Sequence, residues 1–227
     1  MIATAAKPKR VVIAIDGPAA AGKGTLARRL ARHFGYAYLD TGLLYRAVGV
    51  KALESGADPS DAAAATEAAK SLVWKETRRE DLRSDAAANA ASRVAAVPEV
   101  RRALLVFQRR FAENPPDGAD GAVLDGRDIG TVVFPDADLK LFITASLEVR
   151  AARRLKELRE RGLEAIDSRV LREMQERDER DSERAVAPLG PARDAVVVDT
   201  SGLEPDAVFK AALAAFEAAK PGDSRVR

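Results

Sequence analysis

Apolar residues run unbroken from Val11 to Ile15, and the run closes at Asp16. An unbroken apolar run between polar flanks predicts a strand buried on both faces. The pattern then takes a helical period from Lys23 to about Phe34, with a stop near Gly35. Residues 36–40 read as a second short strand. Thr41 stands where it can cap a helix running toward Ser55 and Gly56. Residues 60–72 predict another helix. Residues 74–85 are polar and charged, and no element can be assigned there. Two helices, 86–94 and 99–111, are separated at Pro98. A loop at 114–118 leads to strands at 122–125 and 139–144. Residues 147–161 predict a helix broken at Gly162, and 168–184 a heavily charged one. The last strand spans 195–199 and the last helix 205–219. Residues 1–10 and 221–227 read as loose termini. Strands alternating with helices predict an α/β fold, its parallel sheet covered on both faces. Ligands in such folds sit at the carboxyl ends of the strands.

The turn between the first strand and helix carries specific chemistry. It reads Gly17-Pro18-Ala19-Ala20-Ala21-Gly22-Lys23-Gly24-Thr25. Glycines four apart, then a lysine, between a strand and a helix, form a phosphate-binding loop. Backbone N–H groups curl around phosphate oxygens where glycine removes the Cβ clash. The helix start adds free donors and a positive dipole end. Lys23 supplies a point charge for the outer phosphates. The strict pattern places Ser or Thr directly after the lysine. Here Gly24 intervenes, so Thr25 reaches a metal either directly or through water. Gly-Lys-Gly-Thr is the variant of nucleoside monophosphate kinases. An ordinary Gly-rich turn is the bland alternative, and the coincidence of strand, spacing, lysine and helix argues against it.

Composition narrows the classes. The 227 residues suit one α/β domain with insertions, or one core plus a small lid. Hydrophobic residues make up 47% and aromatics only 5%, so closely packed alanine-rich helices are expected. Charged residues make up 32%, yet they interleave to a net charge of +2. A nucleic-acid polymer is therefore not the expected partner, since it selects a segregated basic face. The sequence has no cysteine, which excludes disulfides, zinc–thiolate sites and thiol chemistry. No signal peptide or membrane-length apolar run is visible, and a cytoplasmic protein is expected. No repeat of fixed period is found.

A second segment, Leu124-Asp125-Gly126-Arg127-Asp128-Ile129-Gly130-Thr131-Val132-Val133-Phe134-Pro135, follows a predicted strand. With the Gly-Lys-Gly-Thr loop it closely resembles the bacterial cytidylate kinases. Three more segments agree: 39–46 around Asp40-Thr41-Gly42, 89–95 beginning Asn89-Ala90-Ala91-Ser92, and 177–189 beginning Arg177-Asp178. The resemblance runs in order from about Val11 to Thr200. It implies a three-layer P-loop fold of five parallel strands. The core would span 11–60 and 120–227, with a lid around 150–185 and a monophosphate-binding region at 61–119. It further implies ATP-dependent phosphorylation of CMP and dCMP with Mg2+, by a monomer. Residues 71–85 depart from the family pattern, being shorter and more charged than its usual insertion.

The resemblance also implies roles residue by residue. Arg46, Arg127 and Arg184 would hold the acceptor phosphate. Arg177 and Asp181 would contact the ribose, and Arg180 the transferred phosphoryl group. Thr41, Arg101 and Asp128 would read cytosine. Lys23, Arg127, Arg180 and Arg184 would carry the catalytic charge stabilisation, and Arg150 and Arg154 are further lid arginines. Asp40 or Asp125 would support the metal through water. Plain readings stand beside these. Arg46 reads equally as a solvated helix arginine. Arg127 reads also as a salt bridge to Asp125 or Asp128. Arg177, Arg180 and Arg184 share a helix face and read as an ion-pair ladder. Arg101 has Arg102 as a neighbour, so its role could fall one place later. His33, the one histidine, reads as a helix C-terminal residue. Two rival functions are the same reaction on UMP, AMP or another small acceptor, and a non-catalytic nucleotide-binding module.

Overall fold

The computed structural model describes residues 10–219. The expected loose termini lie outside these residues, Arg10 excepted. Five strands form one parallel sheet: β1 (Val11–Asp16), β2 (Ala37–Asp40), β3 (Gly121–Asp125), β4 (Leu139–Thr144) and β5 (Val196–Asp199). Their spatial order is β2-β3-β1-β4-β5. Strand β1 is central because its residues are apolar on both faces. Val12 and Ala14 enter one cluster with Leu39, Leu44, Val48 and Leu104. Ile13 and Ile15 enter the other with Leu26, Leu30, Val208 and Phe216.

The helices divide accordingly. Helices α1 (Lys23–Phe34) and α8 (Pro205–Ala219) cover the second face. Helices α2 (Thr41–Glu54), α3 (Ala62–Lys70) and α5 (Pro98–Glu113) cover the first. Helix α4 (Asp85–Val94) packs on α2, and its small alanines let the two approach closely. Helices α6 (Leu147–Glu160) and α7 (Asp167–Ser182) pair around a separate small cluster of Ala151, Leu155, Leu158, Val170 and Met174.

Four departures from the sequence reading matter for the site. Residues 74–85 are not structureless: Trp74–Arg78 and Glu80–Arg83 form 3-10 turns. Arg79 ties this segment to α2 through Glu54, and to Asp81. Thr41 does not cap α2; its hydroxyl donates to the Asp125 carbonyl at 2.8 Å. Helix α7 ends at Ser182, so Arg184 leaves the helix face it was expected to share with Arg177 and Arg180. Past the helix end Arg184 donates to the Ala187 carbonyl at 2.9 Å. Ile129–Val133 forms a π-helical turn, which no sequence period announced.

Candidate active site

Strand β1 delivers the phosphate loop to the carboxyl edge of the sheet. Gly17 has φ of +142°, and a Cβ there would stand 1.9 Å from the Ile143 carbonyl oxygen. Only glycine passes this point. Gly22 caps α1, whose first residue is Lys23. The Lys23 side chain is buried, and its Nζ donates to the Pro18 carbonyl at 2.7 Å. Burial holds its ammonium well below the usual lysine range; nearby Arg127 adds to this, and Asp125 opposes it.

A cavity of about 700 Å³ opens beside the loop. Ala19, Ala20 and Lys23 line one side, with Asp40 and Asp125 at the strand ends. Arg46 from α2, Arg127 after β3, Arg154 from α6 and Arg177 from α7 line the rest. In all, seven cationic side chains face five acidic ones there, so the cavity is net cationic. Arg46 Nη1 donates to the Leu82 carbonyl at 2.6 Å, and burial disfavours its charge. Arg127 Nε donates to Asp181 Oδ2 at 3.2 Å, not to the Asp125 or Asp128 partners considered from sequence. Among the described residues, the buried nitrogens Arg177 Nε, Arg180 Nη1 and Arg184 Nε have no hydrogen-bond partner. Buried donors left open in this way are rare, and a bound water, ion or ligand closes them. Burial of Arg177 beside Arg127 opposes its charge, while Asp181 supports it. Arg177 lines this cavity, where an anion would balance its charge.

A smaller cavity of about 60 Å³ adjoins the first. Arg127, Arg177 and Gly42 line both. Its other walls include Thr41, Tyr45, Ser92, Arg101, Asp128, Asp181 and Arg184. Arg101 and Asp128 form an ion pair inside it. Arg101 lines this cavity, whereas Arg102 is exposed and pairs with Glu99. Burial would raise the Asp181 carboxyl, but Arg127, Arg177 and Arg184 outweigh it and hold it below the usual carboxylate range.

A third cavity of about 310 Å³ lies on the other side of the phosphate loop. Ala21, Gly22, Thr25 and Arg29 line it with Arg153, Thr200, Leu203 and Pro205. Thr25 lines this cavity and not the one that holds Asp40 and Asp125. The chain places Gly24 toward them instead: a Cβ there would stand 3.2 Å from Asp125 Oδ2. Asp40 and Asp125 are register partners across β2 and β3. Burial raises the Asp125 carboxyl above its usual range, Lys23 opposes this, and Asp40 adds to it. The two acids with the space at Gly24 fit a divalent cation held through its water shell. Among the described residues no group of three acidic or imidazole ligands surrounds such a cation directly.

The cytidylate kinase family model matches residues 13–218. This chain belongs to the cytidylate kinase family. A cytidylate kinase of Paramagnetospirillum magneticum is 65% identical over 202 residues, covering 89% of this chain and 95% of that one. One of Rhodospirillum rubrum is 60% identical over 203 residues, with the same two coverages. A solved structure of an uncharacterized protein from Eubacterium ventriosum shares the fold, with TM-score 0.54 at 14% identity over 92% of this chain and 99% of that one.

In this cytidylate kinase family member most of the sequence-selected residues converge on the two adjoining cavities. Two do not. Arg180 lines none of the three cavities. Arg150 is paired with Asp178 at 2.6 Å and donates to the Ala145 carbonyl. Sequence reasoning passed over Arg28, Arg83 and Glu157 in the large cavity, Ser92 in the small one and Arg153 in the third. Ser92 lay inside a segment already singled out. Arg83 lay in the segment without periodicity, where nothing marked it.

Proposed function

We propose that the chain transfers the γ-phosphoryl group of ATP to CMP and dCMP, giving ADP with CDP or dCDP. The observation that carries this reading is the ring of buried, partly unpartnered arginines joining the large cavity to the small one. Phosphoryl transfer asks a protein for positioning and charge stabilisation, which this ring supplies. The phosphate loop and Lys23 cradle the donor phosphates. The third cavity, across the loop, takes the donor's base. Arg46, Arg127 and Arg184 hold the acceptor phosphate, and Arg177 and Asp181 contact the ribose.

The small cavity suits a single-ring base. Asp128 accepts from the cytosine amino group, and Arg101 and Thr41 complete the reading of that edge. Uracil lacks the amino donor. The acceptor phosphate is already an anion, so no side chain needs to act as general base. One of its oxygens attacks the γ-phosphorus in line, and the bond to the β-phosphate oxygen breaks. Asp40 and Asp125 would hold Mg2+ through its waters, with Thr25 touching at most one of those waters. The cation, when bound, neutralises charge on the donor phosphates.

One P-loop domain, 1–227, would then comprise the core at 11–60 and 120–227, the lid around 150–185 and the monophosphate-binding region at 61–119. The separate cluster beneath α6 and α7 supports a lid that moves as a unit. The enzyme would act as a cytoplasmic monomer on free nucleotides and not on nucleic-acid polymers. No helix among the described residues is long and apolar enough to cross a membrane. The test is ADP release with ATP and magnesium across CMP, dCMP, UMP, AMP and GMP. Turnover with CMP and dCMP supports the reading. Turnover confined to another monophosphate refutes the base assignment, and nucleotide binding with no turnover refutes the kinase.

A further inference from the structure

We propose that Asp16 is a positioning residue for the acceptor site: its carboxylate holds the turn that aims Arg127 and Asp128. Asp16 is the last residue of β1 and directly precedes the phosphate loop. It is 5% exposed. Its Oδ1 accepts from the Ile129 amide and its Oδ2 from the Gly130 amide, both at 2.7 Å. These are the first two amides of the π-helical turn Ile129–Val133.

Helical turns leave such N–H groups open, and a nearby side chain usually closes them. The residue in the capping place is Asp128, and its side chain makes no cap bond. Its carboxylate faces Arg101 in the small cavity instead. A local cap would withdraw Asp128 from that pair. Asp16 supplies the cap from 113 residues away. That frees Asp128 for the cavity and joins the donor loop to the acceptor motif at one rigid point. The Lys140 stem backs the turn from β4: a Cβ at Gly130 would stand 3.1 Å from Lys140 Cδ. A small misplacement of a substrate-positioning group can cost about a hundredfold in rate.

The inference rests on the acceptor reading of the small cavity, and its test separates the two. CMP and ATP affinities are measured by titration on wild type and Asp16→Asn, with kcat and both KM values. Asparagine keeps the shape but offers one acceptor oxygen, and its amide nitrogen opposes the second N–H. The expected result is a CMP affinity at least about tenfold weaker, the scale of one lost hydrogen bond to a charged group. ATP affinity should stay within about twofold. A CMP affinity equal to wild type overturns the inference, as does an equal loss for both nucleotides. Wild type that ignores CMP but binds another monophosphate overturns the acceptor reading, and the tenfold comparison is then made on that monophosphate. If Asp16→Asn does not fold, Gly130→Ala wedges the same joint from its other side. It should show the same loss confined to the acceptor.

Discussion

Arg101 and Asp128 form a buried ion pair across 27 residues of chain, with side chains only 9% and 6% exposed. Arg101 comes from α5 and Asp128 from the turn after β3, and both open onto the small cavity. A buried pair of this kind is weak evidence for stability and better evidence for specificity.

Asp128→Ala should therefore act on two levels. It leaves Arg101 buried without its partner, which costs about 3–5 kcal/mol of stability in comparable pairs. It should also narrow the advantage of CMP over UMP. A site that loses a buried hydrogen-bond partner can lose specificity by as much as about 10⁴. The measurement is kcat/KM for both nucleotides, with a thermal melt beside it. An unchanged ratio removes Asp128 from base recognition.

Arg127 touches both cavities and is oriented by Asp181. Arg127→Ala should lower kcat by about 10³, the scale of a well-placed arginine in phosphoryl transfer. Circular dichroism should remain that of the wild type, because Arg127 is outside all three apolar clusters. Near-normal turnover would refute the clamp.

Asp16 predicts a pH effect on stability. Burial pushes its carboxyl from 3.8 up to about 7, although the amides of Gly130 and Ile129 pull it down. Asp128 facing it adds to the rise, and Lys23 opposes it. A carboxyl raised by folding contributes stability below its unfolded value and loses it as pH climbs through its folded value. Asp16→Asn removes that dependence. Relative to wild type, the variant should gain stability between about pH 4 and pH 7, by at most about 1.4 kcal/mol per pH unit. Denaturant melts at several pH values read the difference directly, and parallel curves for the two proteins would contradict it.

Arg154 on α6 pairs with Asp85 at the start of α4, and Arg161 donates to the Arg83 carbonyl at 2.9 Å. These contacts latch the α6–α7 pair to the charged 79–85 segment. Asp85→Asn should speed amide exchange in α6 and α7 of the ligand-free protein several-fold. Exchange elsewhere should not change, since the pair is partly exposed and worth at most about 1 kcal/mol. ATP with CMP should restore the slow exchange. Uniform exchange across both proteins would rule out the latch.

Much of the fold was legible because it depends on short-range pattern. The unbroken run at Val11–Asp16 reads as a doubly buried strand, and in that setting Gly17 to Lys23 reads as a phosphate loop. The 74–85 segment was not legible. Its 3-10 turns are held by Arg79, Glu54 and Asp81, and no periodicity marks such contacts. The end of α7 was missed for a related reason. Charge alternates through Arg184, yet the backbone leaves the helix at Ser182 and Arg184 bonds Ala187.

By itself the sequence determined the parallel α/β class, the donor loop and the set of arginines available to hold phosphate. The class and the loop follow from apolar period, glycine spacing and residue type, which local chain geometry translates directly into structure; the arginines came from the family resemblance. Only the tertiary structure decided which arginines meet. Arg127 found Asp181 over 54 residues, Arg101 found Asp128 over 27, and Arg150 turned to Asp178 beside the loop. It also decided that Asp16 would close a turn 113 residues away. Ion pairs and caps of this range form only after the sheet brings distant strand ends together, so no spacing along the chain can encode them.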